Sequence, residues 1–218
     1  PVIGAIQDTC VGSYRMTHKD TFLTPEKFMT YSMEIKYGDV AEMPVPAIVW
    51  PKKLYTGKQL MSHCLPKIHL AKKVRGCEDK NPMDPLERYV IINNGELLCG
   101  QLCKATVGKT AGSIVHITCN DISNRRAANF LSDLQRLVRT WLARTGFSIG
   151  MQDCICPPIT HKEVEELIYA TYNKKINPSM EEHEIFNELQ KVLSQTGKIV
   201  KKHLHQKNGF LQCTQSGS

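Results

Sequence analysis

No apolar run in these 218 residues approaches the roughly 18 that a membrane-crossing helix needs, and no hydrophobic stretch near the N-terminus reads as a secretory leader. No membrane partner is expected. Internal repeats are absent. Nine cysteines are present, yet zinc-ligand spacing is not: Cys99-x3-Cys103 and Cys154-x-Cys156 each lack the matched second pair that completes a tetrahedral site. The count is odd, and Cys99 and Cys119 sit in apolar runs, where a reduced thiol behaves as a small hydrophobe. A phosphate-cradling loop is also missing. Gly108-Lys109-Thr110 has the tail of G-x-x-x-x-G-K-[ST], but the loop's first glycine falls on Cys103. Asp8, beside Gln7, has no second carboxylate close in sequence with which to share a metal, so no residue is assigned as catalytic or metal-binding. His116 lies in an apolar segment and reads as a packed histidine rather than a ligand. His203 and His205, with Lys201, Lys202 and Lys207, read as a cationic helix end.

What is present is the composition of a globular protein, 41% hydrophobic and 22% charged, long enough for one large domain or two small ones. The net charge is +7. Residues 1–80 hold twelve Lys/Arg against eight acids, residues 81–150 eight against five, and residues 151–218 eight against eight. This is sparser than the basic clustering of a duplex-gripping protein. It suits either a surface facing phosphates at moderate distance or a solubilising charge. The chain opens on Pro1 without a methionine and stops at Gln215-Ser216-Gly217-Ser218, ends expected of a fragment.

Patterning divides the chain near residue 155. Thr24 as N-cap, Pro25 and Glu26 predict a helix over 24–35, with Phe28, Met29, Met33 and Ile35 on its apolar side. Prolines from Met43 to Pro51 force extended geometry. Thr56-Gly57-Lys58-Gln59 starts a short helix that Pro66 closes. Residues 71–88, rich in charge, Gly and Pro, read as an exposed loop. Tyr89–Ile92 and Glu96–Cys99, joined through Asn93-Asn94-Gly95, predict a hairpin, because Asn-Gly supplies the positive φ of a tight turn. Ser113–Cys119 is expected to be a further β segment. From Ser123 the period is helical: Phe130, Leu131, Leu134, Leu137, Val138, Trp141 and Leu142 form one face, Arg125, Arg136 and Arg139 a stripe opposite, and Gly146 the stop. Capping-box signals at Thr160-x-x-Glu163 and Ser179-x-x-Glu182 predict two more helices, the second spanning roughly 181–207. Its apolar side carries Ile185, Leu189, Val192, Leu193, Ile199 and Val200, with acids at its start and lysines at its end. The expected class is α+β: a small mixed sheet and hairpin region with packed helices over 1–155, then an antiparallel helical pair over 156–218.

The most specific string is Gln7-Asp8-Thr9-Cys10-Val11-Gly12-Ser13-Tyr14-Arg15-Met16-Thr17-His18-Lys19-Asp20-Thr21-Phe22. It resembles the QDTxxGSxxMTxxDTF stretch of the largest subunit of multisubunit DNA-directed RNA polymerases. Four more stretches resemble the same subunit in the same order. Pro46-Ala47-Ile48 with Tyr55-Thr56-Gly57-Lys58-Gln59 is similar to PAIxxPxxLWTGKQ. Asn94–Gly100 followed by Lys104-Ala105-Thr106-Val107-Gly108 is similar to DGxLxxGxxxKKTVG. Gly146-Phe147-Ser148-Ile149-Gly150-Met151-Gln152-Asp153 is similar to GFSxGIxD, and Gln215–Ser218 to the opening of a segment ending SGSKG. Departures are Ala105 for the second lysine of KKTVG, Tyr55 for the tryptophan before TGKQ, and Met151-Gln152-Asp153-Cys154 where the pattern has GIxDT.

The resemblance implies that the chain forms the pore and the start of the funnel, the walls of the secondary channel through which nucleoside triphosphates enter and a backtracked RNA 3′ end leaves. Lys104 and Lys109 are then the channel-lining candidates. The magnesium-binding aspartates of that family lie upstream, and its bridge helix and trigger loop downstream, so the fragment alone is expected to be inactive and to hold no cofactor; Mg2+ and structural Zn2+ belong to the full enzyme. Implied partners are the second-largest and small polymerase subunits, a transcript-cleavage factor, and DNA through the whole complex. The alternative is an assembly module, in which the helices after residue 155 dock a small subunit or a cleavage factor. The divergence points first to a large cytoplasmic DNA virus, with a viral-factory or virion location, and second to a protist enzyme, with a nuclear one.

Overall fold

The computed structural model describes residues 1–40, 42–73, 87, 89–175, 181–205 and 207–218. Helix α1 (Asp8–Met16) begins at the Gln-Asp-Thr corner, with Gln7 as N-cap, Asp8 in the first turn and Arg15 in the last, charges that suit the helix dipole. A two-residue strand β1 (Phe22–Leu23) leads into α2 (Pro25–Ser32), which Thr24 and Pro25 start as expected. The helix is shorter than 24–35, and only part of its forecast apolar side faces inward. Phe28 and Ile35 are buried, whereas Met29 and Met33 point to solvent. After the proline-rich stretch, in which Ile48 bridges Leu54, β2 (Tyr55–Thr56) pairs antiparallel with β1. The helix α3 (Gly57–Cys64) follows at once. Its start is a full capping box: the Thr56 hydroxyl accepts the Gln59 N–H at 3.2 Å, and Gln59 Oε1 accepts the Thr56 N–H at 2.9 Å.

A three-stranded antiparallel sheet comes next, in the order β3 (Leu70–Lys73), β4 (Tyr89–Asn93), β5 (Glu96–Cys99). The hairpin between the last two turns through Asn94 and Gly95, both at positive φ, and puts Val90, Ile92 and Leu97 in the core. Residues 71–73, grouped by sequence with an exposed loop, instead belong to β3, in register with Tyr89–Ile91 of β4. Most of that forecast loop, 74–86 and 88, lies outside the described residues.

One turn of helix, α4 (Lys104–Val107), precedes α5 (Ile114–Asp121). The segment Ser113–Cys119 is therefore helical, not a strand. Its β-branched residues suggest extension, but the Ser113 hydroxyl accepts the His116 N–H at 3.2 Å, and the buried residues Ile114, Val115 and Thr118 share one helical face. The 22-residue α6 (Asn124–Thr145) buries Ala127, Phe130, Leu134, Leu137, Val138 and Trp141, as its period requires, and stops at Gly146. Arg136, set by pattern on the outer stripe, is only partly exposed: it leans over the Tyr37 ring and pairs with Asp133 at 2.6 Å.

The later elements are a 3-10 turn at Met151–Cys154, α7 (Pro158–Lys175), α8 (Glu182–His203) and α9 (Gly209–Ser216). Helix α7 starts at Pro158, two residues ahead of its forecast cap. Proline is suited to a first helical position, and Thr160 becomes a buried first-turn residue. Ser179 lies outside the described residues; α8 takes Glu181 as its N-cap and ends at His203. His203 Nε2 meets Glu163 Oε1 at 3.0 Å, end of α8 against start of α7, so the pair runs antiparallel. The fold is α+β; among the described residues helices dominate, with two small antiparallel sheets. It divides into two units, Pro1–Phe147 with Gln212–Ser218, and Ser148–Leu211.

Among the described residues of the first unit, Asp133 is a fully buried carboxylate. Asp133 accepts the backbone N–H of Lys36 at 3.0 Å and of Tyr37 at 2.8 Å besides Arg136, while Arg126 donates to the Tyr37 carbonyl at 3.0 Å. Asp133→Ala would strand the Lys36 and Tyr37 N–H groups and the Arg136 guanidinium. It is expected to lower the unfolding free energy in urea by about 3 kcal/mol, against no more than about 0.5 kcal/mol for Arg139→Ala on the exposed face.

Candidate functional site

The site is built from three segments far apart in sequence that meet in the first unit. Helix α1 supplies Tyr14, whose hydroxyl donates to Gln215 Oε1 at 2.8 Å. The Lys104–Val107 turn lies between two chain ends. On one side the Ala5 N–H donates to the Val107 carbonyl at 3.0 Å, and Gly4 runs so close to Gly108 that a Cβ at position 4 would sit 2.6 Å from the Gly108 carbonyl carbon. On the other, a Cβ at Gly217 would lie 2.8 Å from the Lys104 Cβ. The turn also closes on itself, since the Cys103 N–H donates to the Thr106 hydroxyl at 2.9 Å. Lys104 and Lys109, flanking Ala105–Gly108, are exposed, and neither has an ion-pair partner among the described residues.

Most other motif residues turn out to shape the backbone. At Gly12 a Cβ would enter the surface of Val138 Cγ1 and come within 2.9 Å of Leu142 Cδ1; at Gly57 it would collide with the Met16 carbonyl oxygen. These two glycines allow α1 to lie against α6 and α3 against the end of α1. Gln59 closes the α3 cap and donates to the Val45 carbonyl at 2.7 Å. Lys58 is not a free cation: its side chain is only 12% exposed and pairs with Glu87. Gln7 and Asp8 are exposed at the α1 N-terminus, and Asp20 is exposed near His18. Gly108 is buried behind the α4 turn, and Gly146 forms the α6 C-cap. Gly150 donates its N–H to Asp153 Oδ2 at 3.0 Å. Asp153 Oδ1 in turn accepts the Gly209 N–H at 3.1 Å, and the Asp153 carbonyl accepts from Asn208 at 3.0 Å, so this aspartate organises its own unit.

Beside the cationic turn Cys10, Cys103 and Thr106 are buried. Burial pushes the Cys10 thiol up to about 11, offset in part by Lys104, with Cys103 adding a little. Burial likewise raises the Tyr14 phenol to about 12, and raises Cys64 and, more weakly, Cys213. Arg15 is also partly buried. It stacks between the rings of Trp141 and Phe147, at 5.7 and 5.4 Å to their centroids, and donates to the Gly146 carbonyl at 2.5 Å. His116, placed by α5 rather than a strand, accepts the Gly112 N–H through Nδ1 at 3.2 Å. No three His, Cys, Asp or Glu among the described residues converge to hold a metal ion. What the arrangement can do chemically is attract an anion. Tyr14, Gln215 and Gly217 all fall within the distinctive strings, but no spacing signals that Tyr14 meets Gln215 or that Gly217 meets Lys104.

Two comparisons with known proteins bear on this geometry. Residues 1–154 match the family model described as RNA polymerase Rpb1, domain 3. DNA-directed RNA polymerase II subunits RPB1-A and RPB1-B of Trypanosoma brucei brucei are each 36% identical to the chain over 172 residues, which is 78% of this chain and 9% of each relative. The chain thus spans a small part of the length of these relatives.

A pH prediction follows from the buried thiol and phenol. Their folded values lie above the ordinary ones, so the folded chain retains protons that the unfolded chain releases, and the associated stability is complete below about 9 and lost as pH rises. Urea unfolding is expected to show stability falling between pH 9 and about 11, with a shallower fall in Cys10→Ala.

Proposed function

The chain belongs to the RNA polymerase Rpb1 domain 3 family, part of the largest subunit of DNA-directed RNA polymerases, and on that premise we propose that it forms the pore and proximal funnel of the enzyme's secondary channel. In this role residues 1–155 make the pore and 156–218 begin the funnel. The observation that carries the proposal is the turn bearing Lys104 and Lys109, two exposed ammonium groups on a backbone clamped from both sides. A cationic wall raises the local concentration of triphosphate anions and steers them inward, an effect that salt weakens. The RNA 3′ end of a backtracked complex, itself an anion, would pass the same wall. Nucleotidyl transfer is the work of the assembled enzyme, with the metal held by other parts of the subunit. The second-largest subunit, small subunits and a transcript-cleavage factor are the partners this placement requires, with DNA bound by the whole complex. A nuclear location is favoured over a viral cytoplasmic one by the two similar RNA polymerase II subunits.

A second role, docking of a small subunit or cleavage factor on the later helices, is supported by one feature of that unit. Phe186, Leu189 and Leu193 of α8 and Tyr169 and Tyr172 of α7 are all more than half exposed. Capture of a purified polymerase subunit by the chain, abolished by Leu193→Asp, is the outcome that favours docking.

For the channel role, Lys104→Glu combined with Lys109→Glu in the complete polymerase is expected to raise the apparent KM for nucleoside triphosphate by roughly threefold to tenfold, leave kcat at saturation unchanged, and lose its effect as salt increases. An unaltered apparent KM would count against the wall.

A further inference from the structure

Lys72 on β3 aims its ammonium at three backbone carbonyls: Ala105 at 2.8 Å, Ala111 at 3.0 Å and Gly112 at 3.2 Å. An ammonium has three N–H donors, and here each has an acceptor. The three oxygens come from two places. Ala105 is in the α4 turn, one residue after Lys104; Ala111 and Gly112 immediately precede Ser113, the cap of α5. One side chain from a neighbouring strand therefore closes both ends of the loop that carries Lys109. A Cβ built at Gly112 would stand 3.9 Å from Nζ, so the ammonium seats directly over the turn. The Thr110 hydroxyl adds a bond to the same Ala105 carbonyl at 2.8 Å, and the Ser113 N–H donates to the Thr110 carbonyl at 3.1 Å. Burial lowers the Lys72 pKa from the ordinary lysine value, as expected of a cation drawn out of water by main-chain oxygens. With all three donors engaged by backbone, Lys72 has nothing left for a ligand. Its role is toward the loop.

We propose that Lys72 is a positioning residue: its ammonium, held by the carbonyls of Ala105, Ala111 and Gly112, sets the spacing and direction of Lys104 and Lys109. This rests on the reading of those two lysines as the anion-facing wall. Charge-assisted bonds to three carbonyls outweigh the neutral bonds that otherwise hold so short a loop. Without them the loop opens locally while the α5 and α6 core stays closed.

The test uses the assembled polymerase containing the full-length largest subunit, with Lys72→Met, the Lys104→Glu/Lys109→Glu pair, and the triple variant. Elongation is measured against nucleoside triphosphate concentration, and amide exchange is read over residues 104–113. Lys72→Met is expected to raise the apparent KM by roughly threefold with kcat retained. It should add nothing on top of the Lys104→Glu/Lys109→Glu pair, because a residue acting through others has no effect once they are gone. Exchange of the Gly108 and Ser113 amides should quicken. If the charge-reversed pair raises KM and Lys72→Met does not, or if the two effects add, positioning is overturned while the wall survives. If the pair leaves KM unchanged, the wall itself fails; faster exchange in Lys72→Met would then mark a purely structural lysine and overturn the proposal too. Should Lys72→Met not assemble, Lys72→Gln, which keeps two donors, is read by the same criteria.

Discussion

The first unit depends on how closely α1 can approach α6. The contact is made at Gly12, where the bare backbone lies against the Val138 and Leu142 side chains, and a Cβ there would displace them. From that contact the rest of α1 is placed. Thr17 just past its end donates to the Ser13 carbonyl at 2.7 Å and accepts the Leu102 N–H at 2.9 Å, tying β5's exit to the helix. The Met16 carbonyl faces Gly57, and so fixes where α3 begins. Arg15, on the last turn, locks the end of α6 by stacking on Trp141 and bonding to the Gly146 carbonyl. One short helix thereby sets the positions of two others and of the exit from β5.

That geometry explains why so many distinctive residues of the chain are not chemical. Gly12, Gly57, Gln59 and Asp153 make close approaches or satisfy backbone donors. Lys58 is tied up with Glu87. Once these are accounted for, the exposed cations on the turn between β5 and α5 stand apart. Their backbone is held by Gly4 and Ala5 on one side, Gly217 on the other, and the Lys72 ammonium across the loop. For the channel role proposed above, charge held in place by the backbone would cost less ordering on contact with an anion than charge on a loose loop.

Legibility differed by element for physical reasons. The Asn94-Gly95 hairpin, the Thr56/Gln59 cap and the amphipathic α6 were readable because each is decided by local sequence: a positive φ, a side chain reaching its own backbone, a period of 3.6. Ser113–Cys119 was not, since a short run of isoleucine, valine and threonine fits a strand or a buried helical turn equally, and only the packing of Ile114, Val115 and Thr118 decides. The start of α7 shifted to Pro158 because proline at the first helical position and a threonine cap two residues later compete locally. The Lys72–carbonyl cluster had no readable signal at all; Lys72 is one lysine in a charged stretch until β3 pairs with β4.

By itself the sequence determined the family, through ordered strings whose residue types are set by close backbone approaches and caps, and it determined the α+β class through its periodicities. Only the tertiary structure decided which charges are free. Lys58 and Lys104 look alike in a motif, but one is only 12% exposed and ion-paired and the other is on the surface. A lysine's availability depends on what the fold brings within reach of its ammonium, and for Lys58 and Lys72 those neighbours lie 29 and 33 to 40 residues away in the chain.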